Sequence, residues 1–128
     1  MGAYSAAYSS GYDIGEGGVQ TPTPPERVFV VAHQRGLCEG PRVKDPDAVL
    51  DYAFDWSGWL SEGESIASHE ITASGVTIIT SSEAAGLVTL WVEGGAANTI
   101  ARITNRITTN NDPPRTDERT AAIRIREL

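Results

Sequence analysis

NTIARITNRITT, residues 98–109, and TDERTAAIRIREL, residues 116–128, are the stretches whose reading decides the fold class. Apolar and polar side chains alternate in both: Ile103 and Ile107 oppose Arg102 and Arg106, and Ile123 and Ile125 oppose Arg124 and Arg126. Successive side chains of a strand point to opposite faces, so a period of two marks a half-buried β-strand rather than a helix. The intervening Asn110–Arg115 (NNDPPR) is made of turn formers. The two stretches therefore read as a β-hairpin with Ile103, Ile107, Ile123 and Ile125 in the core.

Working back from the hairpin, the same period recurs. After an Asp45-Pro46-Asp47 turn, Leu50, Tyr52, Phe54 and Trp56 alternate with Asp51, Ala53 and Asp55. That pattern predicts a half-buried strand with Tyr52, Phe54 and Trp56 inward, and Asp45, Asp47, Asp51 and Asp55 on a solvated strand edge, where charge hinders unwanted pairing. Ser57–Glu64 is a connection holding Trp59, which reads either as core or, from its loop position, as an exposed contact for a partner. Ile66 and Ile71 fall on opposite parities within Ser65–Ala73, which a β-bulge there would reconcile. Val76–Thr80 and Leu87–Val92 are two further strands, the second with Trp91 as a core residue, and Gly94-Gly95 supplies a turn. About six or seven short strands from Val43 to Leu128 predict an all-β, antiparallel β-sandwich.

The chain ahead of the sandwich differs in composition. Residues 1–26 are rich in Gly, Ser, Ala and Pro and end in Thr21-Pro22-Thr23-Pro24-Pro25, which favours an extended, polyproline-like path. Tyr4, Tyr8 and Tyr12 recur every fourth residue. Composition alone favours a disordered tail; against it, solvated tails usually lack aromatic rings, which bury apolar area and keep a hydrogen-bonding tip. Residues 1–26 are accordingly read as a docking arm that contacts other proteins through Tyr4, Tyr8, Tyr12, Pro22, Pro24 and Pro25. Residues 27–43 are a connecting strand (RVFVVA, residues 27–32) and loop, and residues 44–128 the sandwich.

Charge and composition narrow the function. A net charge of −7 leaves no clustered Lys and Arg to neutralise phosphates, so nucleic acid is not an expected partner. No stretch approaches the roughly 20 apolar residues of a membrane-spanning helix, and no membrane partner is expected. The single Cys38 forms no internal disulfide, which fits synthesis in a reducing cytoplasm. Catalysis would start from histidine, of which there are two, His33 and His69. His69 and its strand neighbours Ser68 and Glu70 diverge, so no nucleophile–base pair is expected among them. Cys38 and His33 alone make a poor zinc site, and the acidic set lacks the glycine and terminal glutamate of a calcium loop. Gly15-Glu16-Gly17-Gly18 has neither the preceding strand nor the following Lys-Ser/Thr of a phosphate loop. The reading is a non-enzymatic protein without metal or cofactor.

Two segments carry a resemblance to a family. Lys44–Leu60 (KDPDAVLDYAFDWSGWL) resembles the opening of small immunoglobulin-like proteins of tailed-phage structural gene clusters, called fiber-tail adaptor proteins. Thr104–Thr109 with Arg115–Thr120 and Ile123–Ile125 is similar to the closing hairpin of the same family. The resemblance implies an immunoglobulin-like sandwich in a multi-copy ring or collar at the head–tail neck, or at a tail-fiber attachment site. Its implied partners are other virion proteins (portal or adaptor, tail or fiber proteins) and copies of itself. Alternatives are a capsid decoration or cement protein, and a carbohydrate-binding immunoglobulin-like module using an exposed aromatic such as Trp59. The chain departs from the family in three places: Gly94–Ile100 holds no tyrosine, the hairpin loop is longer by Asp112-Pro113-Pro114, and 43 residues precede the first shared segment.

Overall fold

The computed structural model describes residues 22–31 and 42–128. A 3-10 turn, Pro25–Arg27, precedes eight strands: β1 Val28–Val30, β2 Arg42–Lys44, β3 Leu50–Asp55, β4 Ile66–Ser74, β5 Thr77–Ala84, β6 Leu87–Glu93, β7 Thr99–Thr109 and β8 Thr116–Ile125. They form two four-stranded sheets, one in the order β1-β3-β6-β5 and the other β2-β8-β7-β4. The architecture is a β-sandwich.

The hairpin is the longest ladder. β7 and β8 pair antiparallel from Thr99↔Ile125 to Thr108↔Thr116. Ile103, Ile107, Ile123 and Ile125 are fully buried, whereas Arg102, Arg106, Arg124 and Arg126 are exposed. From the other sheet they meet Tyr52, Phe54, Trp56, Val88, Leu90 and Val92. Two facing sheets each hide one side of their strands from water, and this shared apolar layer is the main source of stability. The bulge expected in the fourth strand is present between Ile66 and Ser68.

Several expectations change. Leu90 and Val92 take the inward positions of β6, which turns Trp91 outward, where it is half-buried opposite Asp51 and Thr80 rather than in the core. β3 is no edge. It lies between β1 and β6, so Asp51 is buried at 8 % exposure instead of solvated. Thr23 Oγ1 donates to Asp51 Oδ2 at 2.7 Å, Arg27 Nη2 pairs with Oδ1 at 3.1 Å, and Arg27 Nε donates to the Asp51 carbonyl at 2.8 Å. The Pro22–Pro25 segment, read as part of a docking arm, is thereby anchored on its own sandwich.

The sheets also begin before residue 44. β1 pairs with β3 and β2 with β8, both in parallel, so the sandwich is not purely antiparallel. Phe29 on β1 is fully buried, with its ring centroid 5.3 Å from that of Phe54 and 6.0 Å from that of Tyr52. Beyond the expected end at Thr80, β5 continues to Ala84 and closes on β6 through Ala85 (φ 53°) and Gly86 (φ 85°). Two positive φ values are what a two-residue hairpin turn needs to match strand twist. Gly95 (φ 108°) lies against Ile125, where a Cβ would come within 2.9 Å of Cδ1. Tyr4, Tyr8 and Tyr12 lie outside the described residues.

Candidate interaction surfaces

Polar chemistry collects in three places: one end of the interior, the open side of the sandwich, and its two outer faces. At the interior end, Trp56 closes β3 and Trp59 follows one short turn later, with ring centroids 5.3 Å apart in an edge-to-face arrangement. The Arg115 guanidinium lies 4.0 Å from the Trp59 ring and that of Arg119 5.8 Å from the Trp56 ring. Arg115 grips both oxygens of Glu64, and Asn111 Nδ2 donates to Glu64 Oε2 at 2.8 Å. The Glu64 side chain is almost wholly buried. Its hydrogen bonds to Arg115 hold the carboxyl down at about 2, against 4.5 ordinarily, while burial opposes the shift. This set clamps the long β7–β8 loop to the β3–β4 connection, which gives the Asp112-Pro113-Pro114 insertion a fixed exit and return.

Trp59 is thus a packing residue. At 6 % exposure it offers no platform to a sugar or a partner, which corrects the expectation drawn from its loop position and removes the aromatic on which the carbohydrate-binding alternative relied. The signal that sequence reading missed is Glu64. An acid five residues past a tryptophan has no local motif, and its partner Arg115 stands 51 residues away.

Further up the core, Trp56 Nε1 donates to Asn105 Oδ1 at 2.7 Å, and Asn105 Nδ2 donates to the Glu70 carbonyl at 3.2 Å. A single buried amide therefore ties β3 of one sheet to β7 and β4 of the other. Lys44 is fully buried at the opposite end, donating to the carbonyls of Gly94 (2.7 Å) and Asp45 (3.0 Å), and burial lowers its pKa.

β4 and β5 form the free edges on one side, where His69 Nε2 and Ser81 Oγ lie 3.0 Å apart. The pair bridges the two sheets. Among the described residues no carboxylate hydrogen-bonds this imidazole, and no group of three His, Cys, Asp or Glu is placed to hold a metal ion. Neither β4 nor β5 carries a lysine or proline.

The outer faces are open and chemically distinct. On the β2-β8-β7-β4 sheet, cross-strand rows read Ser68–Thr108–Thr116, Glu70–Arg106–Glu118, Thr72–Thr104–Thr120 and Ser74–Arg102–Ala122. The threonine hydroxyls touch across strands, Thr104 to Thr120 at 2.9 Å and Thr108 to Thr116 at 3.1 Å. A further row sets Arg124 between Ile100 and Val43, each 43 % exposed. The depressions on this face are shallow and lined by such residues as Thr72, Arg102 and Thr120. The opposite outer face shows Trp91 and Ile79 with Glu93. Open faces with only shallow depressions suit contact with another protein surface better than enclosure of a small ligand.

No curated protein matches the chain. Residues 44–124, which run from the end of β2 nearly to the end of β8, match the family model of the podophage GP4 fiber-tail adaptor protein gp77. That match covers well over half of the 128 residues and nearly the whole sandwich, so the chain belongs to the podophage GP4 fiber-tail adaptor family.

Proposed function

We propose that this chain is a structural adaptor of a phage particle, held at the head–tail neck or collar or at a tail-fiber attachment site, where it acts by binding proteins and catalyses no reaction. The family match over residues 44–124 carries the reading. Its partners on this reading are portal or adaptor, tail or fiber proteins together with further copies of itself in a ring, and its synthesis takes place in the host cytoplasm.

An immunoglobulin-like description of the sandwich goes with this proposal and is supported by strand order. With the strands lettered A, A′, B, C, D, E, F and G along the chain, the sheets read A-B-E-D and A′-G-F-C, the arrangement of immunoglobulin domains. Antibody domains join B to F by a disulfide; here the Trp56–Asn105 hydrogen bond links the residue that follows B to F.

The test is to locate the protein in purified particles. Antibody labelling and density assignment are expected to place it at the neck or tail, in about six or twelve copies as a closed ring would require. Hundreds of copies over the capsid would replace this reading with that of a decoration protein. Absence from particles would end both.

A further inference from the structure

The two outer faces of the sandwich each carry an apolar spot, and the charges around the two spots have opposite sign. On the β2-β8-β7-β4 face, Ile100 and Val43 flank Arg124, with Arg102 and Arg126 close by. All three arginines are exposed, and none forms an ion pair among the described residues, whereas Arg27, Arg106, Arg115 and Arg119 each pair with a carboxylate. Exposed aliphatic groups beside unpaired arginines have the composition of an interface core rather than of ordinary surface.

On the β1-β3-β6-β5 face, Trp91 stands outward beside Ile79, the extra residue of the bulge between Ile78 and Thr80, which is 50 % exposed. Val49, 49 % exposed, precedes the Leu50–Val92 pair and so adjoins Glu93. Glu93 and Asp47 are exposed and make no direct ion pair among the described residues, although both act at longer range on the buried Lys44 ammonium. The buried Lys44, bonded to the Gly94 carbonyl, joins the end of β2 to the end of β6, so both spots sit at the same end of the molecule.

We propose that these two surfaces bind each other between copies: the Ile100–Val43–Arg124 spot of one chain packs on the Trp91–Ile79–Val49 spot of the next, with its arginines meeting Glu93 and Asp47. The occupant is a second copy because each face offers what the other lacks, and one chain carries both. A net charge of −7 opposes indiscriminate association, which leaves apposition of the arginine spot and the acidic spot as the favoured approach. A contact between unlike faces is head-to-tail; it makes a ring where its rotation closes and an open filament where it does not. The inference rests on the multi-copy adaptor reading and supplies the surfaces that reading leaves unassigned.

The test uses the full chain and two charge reversals on exposed positions, R102E/R124E and D47R/E93R, each checked for native near-ultraviolet dichroism. Sedimentation velocity is expected to show self-association of the unaltered chain that weakens with added salt, and each variant alone is expected to dissociate with a constant raised at least about tenfold. Mixing the two variants is expected to restore association, since the reversed arginine spot of one then meets the reversed acidic spot of the other. An unaltered chain that stays monomeric up to about 1 mM, variants that associate as it does, or a mixture that fails to recover would each overturn the proposal. A chain present in particles but monomeric when purified refutes self-packing and leaves the adaptor reading standing. A self-associating chain absent from particles does the reverse.

Discussion

Glu64 is a carboxylate taken almost wholly out of water and kept ionised by the Arg115 fork. Its folded pKa lies near 2 against 4.5 ordinarily, so the unfolded chain holds the proton more tightly. The stabilisation it gives is complete above pH 4.5, declines below it, and is lost once the pH falls past about 2. Thermal midpoints measured from pH 6 to pH 2 are therefore expected to fall less steeply for Glu64→Gln than for the unaltered chain, and to start lower at pH 6, because the amide cannot pair with Arg115. Parallel profiles would mean that the clamp does not couple to folding. A second residue-scale expectation concerns Trp56. Trp56→Phe leaves the buried Asn105 oxygen without its donor, at a cost of about 1–3 kcal/mol, and adding Asn105→Leu, which removes the stranded amide, is expected to recover part of it. Urea unfolding of the single and double variants measures both.

Elements differ in how much core they bring for their length. β1 has three residues, yet it carries Phe29, fully buried against Tyr52 and Phe54. Phe29→Ala is expected to cost about 3–5 kcal/mol, and a fragment starting at Lys44, which lacks β1 and most of β2, is expected to unfold at lower urea than the full chain. Equal midpoints would show that the N-terminal strands are dispensable. Within β6 and β8 the faces decide. Ile123→Ala opens a cavity between the sheets and is expected to cost about 2–5 kcal/mol, whereas Trp91→Ala on the outer face is expected to cost at most about 2 kcal/mol. The reverse ranking would invert the assignment of the two faces of β6.

For the whole molecule, the segment ahead of Pro22 is joined to a fixed point, since Thr23 and Arg27 hold the chain to Asp51. Residues 1–12 hold no charged side chain, so the stretch bearing Tyr4, Tyr8 and Tyr12 can approach an acidic neighbour without charge repulsion. Deleting residues 1–21, or changing the three tyrosines to serine, is expected to abolish incorporation into particles while leaving urea unfolding of the purified protein unchanged. Normal incorporation of both folded variants would shift attachment to the sandwich faces.

Alternation by itself determined the β7–β8 hairpin, its four buried isoleucines and the inward set Tyr52, Phe54 and Trp56, because a period of two assigns each side chain to a face without reference to any distant residue. The opposite parities of Ile66 and Ile71 likewise pointed to the bulge that β4 contains. Alternation is silent where a strand is covered on both faces or is apolar throughout. Asp51 reads as solvent-facing until β1 and Arg27 close over it, and in the LVTLWV run of residues 87–92 Trp91 reads as core until Leu90 and Val92 claim the inner layer. Trp59 and Glu64 became a clamp only through Arg115, which stands 51 residues beyond Glu64. Local pattern fixes which way a side chain points within its own strand; tertiary structure decided what stands opposite it, because burial and charge pairing are properties of contacts between segments far apart in the chain.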